Sequence, residues 1–402
     1  MQGKKISMKL ACAVAFGFLL ISVVIFPGVR TYAVSCSPAG TTGLDALIVV
    51  STNGATLDPV TLGYSTVNAA GCDVGIYVAP GTSGVTISGL TITGANDHGI
   101  FVQDASSITI TGNTVYGNGV TATGLCSPPT VVTNCIFEDK ALQLVGTSNS
   151  LVSGNFVRQN LKDGGISVTD DGAVDPGAPN AGNANPGNDN TISNNEVFDN
   201  IGGCGIVVAA YDAGEGVSGN IIEDNTVSGG FISGNPYVGG IVVAADEPST
   251  TVTNNQVIDN KVNGSLIPGI IVHANTPGDS VSGTLISGNT LQNNGFMGGN
   301  DAPQPAGINI VAEIPGLTSI TSTTVTSNTV LNDYYGVWYC NTSPSVSGTS
   351  GNPTVYIASC AQPTGVPEFP LSAIGFSLVM AIGLVMIALM RKMSLPFRQP
   401  IA

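Results

Sequence analysis

The stretch "TISNNEVFDN", Thr191 to Asn200, sets Ile192 and Val197 among Asn194, Asn195 and Asn200. Asparagine is depleted in strands and costly to bury without partners. Recurrence explains its place in an otherwise strand-like run. The pattern apolar–x–x–Asn–x–apolar returns with asparagines at Asn113, Asn155, Asn195, Asn225, Asn255, Asn289 and Asn328. Leu90, between Ile87 and Ile92, fills the same slot in the first copy. Five residues beyond lies a second polar row, Asn118, Asn160, Asn200, Asn260, Asn294 and Asp333, which Gly230 interrupts.

A second motif, a small residue followed by apolar–x–apolar, alternates with the first. It starts at Gly75, Gly99, Ala141, Gly165, Gly205, Gly240, Gly269, Gly307 and Gly336. The shortest spacing between starts is 24 residues, and longer spacings read as that unit plus loop insertions. Such a unit holds two short strands and cannot bury an apolar face alone, but stacked units can. Alternation sends Ile206 and Val208 inward and Val207 outward. In a stack, equivalent asparagines lie about 4.8 Å apart, so their amides can hydrogen-bond along a ladder. Asparagine also tolerates the left-handed backbone of a sharp corner. The expectation is an all-β solenoid of about nine coils, with these asparagines as scaffold.

"ITGNTV", "VSGNFV", "ISNNEV", "VTNNQV" and "ISGNTL", alternating with "GIxV" strands, resemble right-handed parallel β-helix proteins of the pectate-lyase-like class. The resemblance covers roughly residues 45–340 and implies the fold more than a chemistry. The tail "VPEFP", followed by an apolar run and "RK", resembles archaeal C-terminal sorting signals with a Pro-Glu-Phe core. It implies a surface protein, either processed near Pro367 to Pro370 or held by an intact anchor.

The ends agree with export. Lys4, Lys5 and Lys9 precede an apolar run from Leu10 to Phe26, and "TYA" at Thr31 to Ala33 offers a cleavage site. This layout predicts a signal peptide over 1–33, the alternative being an uncleaved anchor helix. Leu371 to Met390 carries no charge and is long enough to span a bilayer core of roughly 30 Å. Arg391, Lys392 and Arg398 then place the tail, 391–402, in the cytoplasm. Between the ends the expected order is an N-terminal cap over 34–74, the β-helix over 75–340, and a C-terminal cap and stalk over 341–370. The body would be extracellular, at the cell surface.

All 26 acidic residues fall in that body, opposed by Lys140, Arg158, Lys162 and Lys261, for a net charge of 4 − 26 = −22. Such a surface repels nucleic acid and anionic polymers. An exported chain permits disulfides, and proximity points to Cys36–Cys72, Cys126–Cys135 and Cys340–Cys360, although spacing leaves connectivity open. Cys204 is left over as a small buried apolar residue. Asn263 and Asn341 head sequons for glycosylation.

The chemistry is sparse. A polysaccharide lyase uses Arg or Lys as base with Ca²⁺ as electrophile, and the body has four basic residues. A glycoside hydrolase needs two carboxyls about 5–10 Å apart. Asp170 and Asp171 follow a core strand, and Asp104 and Asp212 occupy similar turns. The bland reading of Asp170 and Asp171 is a solvated turn. The Asn-Thr-Asp, Gly-His-Gly and Arg-Ile-Lys signatures that a polygalacturonase-like resemblance implies are missing. Asp171, Asp246, Asn275 and Glu313 share one position after the small residue and offer oxygen ligands suited to Ca²⁺. His98 and His273, the two histidines, do not make a copper set, and His273 has the parity of a surface residue. Loops 229–238 and 295–306 carry Phe231, Tyr237, Phe296 and Met297 among Gly, Asn, Ser and Pro. Bulky residues there either pack locally or meet a partner. The favoured expectation is a structural or binding rod that meets carbohydrate or an envelope protein. The alternative is an extracellular polysaccharide-degrading enzyme, a hydrolase before a lyase.

Overall fold

The structure is a computed structural model. It describes residues 35–39, 44–120, 140–160, 164–170, 186–200, 204–228, 240–265, 267–295, 306–333, 335–352 and 356–358. The expected signal peptide, the membrane helix and the tail lie outside these residues. No helix among the described residues is long and apolar enough to cross a membrane.

The chain is an all-β solenoid of parallel strands. Among the described residues its strands stack into sheets of twelve, ten, ten and four. The largest contains the "GIxV" strands and is called the glycine sheet below. All but one of its pairings are parallel; the exception is Ser37–Pro38 against Asp45–Val50. Ile76, Ile100, Leu142, Ile166, Ile206, Ile241, Ile270, Ile308 and Val337 form one inward row across it. The two ten-stranded sheets supply three-residue strands whose central residue alone is consistently buried, such as Val157 in Phe156–Arg158 and Ile222 in Ile221–Glu223. These centres and the glycine-sheet rows form one continuous apolar core. The small head of each glycine strand is a packing demand. A Cβ on Gly165 would lie 2.3 Å from the Gly205 carbonyl oxygen and 2.4 Å from Val197 Cγ1. Backbone and a core methyl group leave no room for one there.

The corners carry the asparagine ladder. The Asn113 Nδ2 donates to Asn155 Oδ1, and the chain of amides continues through Asn195, Asn225, Asn260, Asn289 and Asn328. Six of the seven expected rungs stand in this row. Asn255 does not, and Asn260 takes its place. Asn255 instead ends a neighbouring row, in which Asn190 donates to Asn220 and Asn220 to Asn255. The second expected row slips at the same coil, since Ser265, not Asn260, bonds to Asn294. The cause is a five-residue step: three strand residues and two corner residues. From Gly216–Ser218 onward four successive coils gain a strand in the four-stranded sheet, so the motif occurs twice per coil in "GNIIEDNTV" and "NNQVIDNKV".

The left-handed backbone at these corners also sits one residue earlier than expected. Gly112, Gly154, Asn194, Asp224, Asp259, Gly288 and Ser327 have positive φ. The next residue is the rung, and its side chain turns inward. Leu90 occupies the end of the row, its N–H donating to Asn113 Oδ1 at 3.0 Å.

The glycine sheet is buried on both faces. Its outward residues form three further apolar clusters around Tyr77 and Phe101, Val207 and Ile271, and Val311 and Trp338. His273 is therefore buried, contrary to its expected surface position. Cys36 and Cys72 form the expected disulfide, and Cys204 is buried, as expected. Cys126, Cys135 and Cys360 lie outside the described residues.

Candidate acidic site at the edge of the glycine sheet

The glycine strands end in a line of oxygen-bearing side chains. Ala210, Ala245, Ala274 and Ala312 are in register. The ladder runs one residue further, where Asp246, Asn275 and Glu313 donate their N–H groups to the preceding coil. The fold thus brings together three of the four residues expected as metal ligands. Asp171 lies outside the described residues.

Asp170, Asp246, Asn275 and Asp279 are engaged by their neighbours. Asp170 is fully buried rather than a solvated turn. Its two oxygens accept the backbone N–H groups of Tyr211 at 2.7 Å and Asp212 at 3.2 Å. It joins one coil to the next as a cap on backbone that the strand ladder no longer pairs. The Asn275 Nδ2 donates to Asp246 Oδ1 at 2.5 Å, and Asn275 Oδ1 meets His273 Nδ1 at 2.7 Å. His273 Nε2 lies 3.7 Å from Asp246 Oδ1. Asp279, also buried, accepts from Thr250 N–H and from Thr276 N–H and Oγ1.

Glu247 and Asp279, together with Asp212, were not singled out as a group by the sequence. Burial, and then the charges of Asp279 and Asp212, raise the Glu247 carboxyl above its ordinary value. The signal lay in the corners "DEPST" and "TPGDS", whose acids look like ordinary turn residues in isolation.

Carboxylates along this edge do not converge on a point. Among the described residues, the group of three His, Cys, Asp or Glu side chains close enough for one ion is Cys36, Asp45 and Cys72. Both sulfurs of that group are spent in the disulfide. A polar groove of about 370 Å³ lies nearer the N-terminal coils, with Asp104, Asn149, Asn188 and Asp189 in its walls. Burial and the charge of Asp104 push the Tyr77 hydroxyl up to about 12. Phe231, Tyr237, Phe296 and Met297, the expected binding residues, lie outside the described residues. Of the sequons, Asn263 is exposed on its strand. Asn341 uses its amide nitrogen to donate to the Ala312 carbonyl at 2.8 Å.

The family described as right-handed β-helix region matches residues 74–235. No curated protein matches the sequence. Among solved structures, the chain is similar to PfbA, a surface adhesin of Streptococcus pneumoniae, at 11% identity and TM-score 0.42, over 69% of this chain and 61% of that one. It is similar to an alginate lyase from Paenibacillus sp. at 15% identity and TM-score 0.43, over 78% and 98%. It is similar to the Dettilon tailspike protein at 16% identity and TM-score 0.40, over 76% and 61%. The chain thus spans less than two thirds of the adhesin and of the tailspike. At these identities the likeness extends to the fold alone.

Proposed function

We propose that this chain is a non-catalytic surface rod that binds envelope glycan or an envelope protein. It is anchored by the apolar run at 371–390, with its body outside the cell. The observation that carries the reading is the fate of the carboxylates. Asp170 and Asp279 are buried and occupied by backbone and hydroxyl donors, and Asp246 is occupied by Asn275. Such groups hold coils together and are poorly placed to meet a glycosidic bond. Ca²⁺ along this edge remains a proposal that rests on Asp246, Asn275 and Glu313 sharing a row, with Asp171 beside them in sequence position.

One observation favours a hydrolase. Burial and the charges of Asp279 and Asp212 raise the Glu247 carboxyl above its ordinary value, which is the direction a general acid needs beside a second carboxyl. The full chain is therefore incubated with isolated cell-envelope glycan, and both retention and released reducing ends are measured. The expected result is retention without new reducing ends. Release of reducing ends that Glu247→Gln abolishes would establish the hydrolase instead.

A further inference from the structure

One ten-stranded sheet, which includes Thr114–Tyr116, Phe156–Arg158 and Glu196–Phe198, presents its outward positions away from the core. Further along, the same positions are Thr226, Ser228, Lys261, Asn263, Thr290 and Gln292. Polar residues of this kind suit a solvated sheet face. Three neighbouring strands break the pattern with Tyr116, Phe156, Arg158 and Phe198. Tyr116 pairs with Arg158 and Arg158 with Phe198 along one row. Phe156 pairs with Glu196 in the next row, two residues away on the same face.

The side chains are mutually arranged. The guanidinium carbon of Arg158 lies 5.3 Å from the Phe156 ring centre and 5.6 Å from that of Tyr116. Phe198 meets Phe156 edge-on, with centres 4.9 Å apart and planes at 75°. All four are half-buried, and Glu196 is exposed. The Nε of Arg158 is buried without a hydrogen-bond partner. In a body of net charge −22 this cation stands against rings where a carboxylate would be the usual neighbour.

We infer that Tyr116, Phe156, Arg158, Phe198 and Glu196 form a binding site for a neutral pyranose unit of a glycan. Aromatic faces and edges take the C–H face of a sugar ring, as they take other flat apolar surfaces. A guanidinium fixed by stacking keeps its outer N–H groups in one plane, suited to two adjacent hydroxyl oxygens. Glu196 supplies the acceptor for a hydroxyl hydrogen. A polyanionic chain fits less well, because the surrounding body repels it. The site rests on the glycan-binding reading above and gives it a location on a face away from the acidic edge.

The test is calorimetric titration of the full chain with neutral hexasaccharides of glucose, mannose and xylose, and with hexagalacturonate as the anionic probe. At least one neutral hexasaccharide is expected to bind, more tightly than hexagalacturonate. Arg158→Gln and Phe198→Ala should each weaken that binding about tenfold or more, with unchanged circular dichroism. Arg158→Lys, which keeps the charge and loses the planar fork, should also weaken it. Neutral saccharide binding that all three variants retain overturns the site and leaves the glycan reading standing. Tighter binding of hexagalacturonate overturns the neutral-sugar assignment. No saccharide binding, with retention on envelope glycan, also overturns the site; no binding to either rejects both.

Discussion

Replacing Asn225 by Leu is expected to lower stability by about 2–6 kcal/mol, at about 1–3 kcal/mol for a buried group left without a partner and about 0.5–1.5 kcal/mol for each further bond lost. Asn225 is buried in the middle of the ladder. Its Oδ1 accepts from the backbone N–H and the Nδ2 of Asn195, both at 2.9 Å. Its Nδ2 donates to the Ile192 carbonyl at 2.8 Å and to Asn260 Oδ1 at 2.9 Å. All four bonding positions of the amide are used. Leucine matches the size but orphans the Asn195 N–H inside the wall and takes one bond each from the Ile192 carbonyl, Asn195 Nδ2 and Asn260 Oδ1. Leu90 escapes this cost because it sits at the end of the row. Thr226→Ala, at the exposed next residue, is the control and should change stability by no more than about 0.5 kcal/mol. Urea unfolding of both variants, followed by circular dichroism, makes the comparison. Equal midpoints would mean the ladder is decoration.

The second large effect has the opposite sign. Asp333→Asn is expected to stabilise the protein, most strongly above neutral pH. Asp333 ends the neighbouring row, accepting the Asn294 N–H on Oδ1, while its Oδ2 is buried without a partner. Burial pushes the carboxyl up to about 7 from an ordinary value of 3.8, against the smaller opposing pull of the Asn294 bonds. Between those values the unfolded chain has released a proton that the native chain keeps, so stability falls as pH rises through the window. A shift of this size corresponds to at most about 4 kcal/mol above neutrality. Asparagine carries no charge and restores a donor. Its Nδ2 would face the Leu291 carbonyl, as Asn294 Nδ2 faces that of Val262 at 3.2 Å. Melting temperatures at pH 8 and pH 4.5 check the sign. The gain should be clear at pH 8 and smaller at pH 4.5; the same gain at both would place the effect elsewhere.

The fold was legible because solenoid packing is local and repetitive. Ile192, Val197, Ile206 and Val208 announce their inward faces by spacing alone, and each found its expected side. The phase of the ladder was less legible. Asn220 and Asn225 satisfy one motif, as do Asn255 and Asn260, and only the added strand at Gly216–Ser218 decides which of each pair shares a row. The candidate site was harder still. Asp170 reads as a turn acid because a carboxylate that caps backbone N–H groups uses the same residue as one facing water. His273 has outward parity in its strand, and its burial depends on what lies over that face rather than on its neighbours in sequence. The aromatic and arginine cluster is spread over strands about 40 residues apart in sequence, from Tyr116 to Arg158 to Phe198. It exists only once the register is known.

Register is also what a single measurement can decide. Thr226 and Lys261 are paired on adjacent parallel strands, and both are exposed. Neighbouring strands stand about 4.8 Å apart, within the span of roughly 4.4–6.8 Å between Cα atoms that a disulfide bridges. The register that matches Asn225 to Asn255 would instead set Thr226 against Gln256. The full chain is prepared as Thr226→Cys with Lys261→Cys and, separately, as Thr226→Cys with Gln256→Cys. Each is mildly oxidised and its peptides are read by mass spectrometry. A stacked solenoid with the Asn225–Asn260 rung predicts a cross-link in the first protein and none in the second. A cross-link in the second alone would contradict the register, and one in neither would contradict the stack itself.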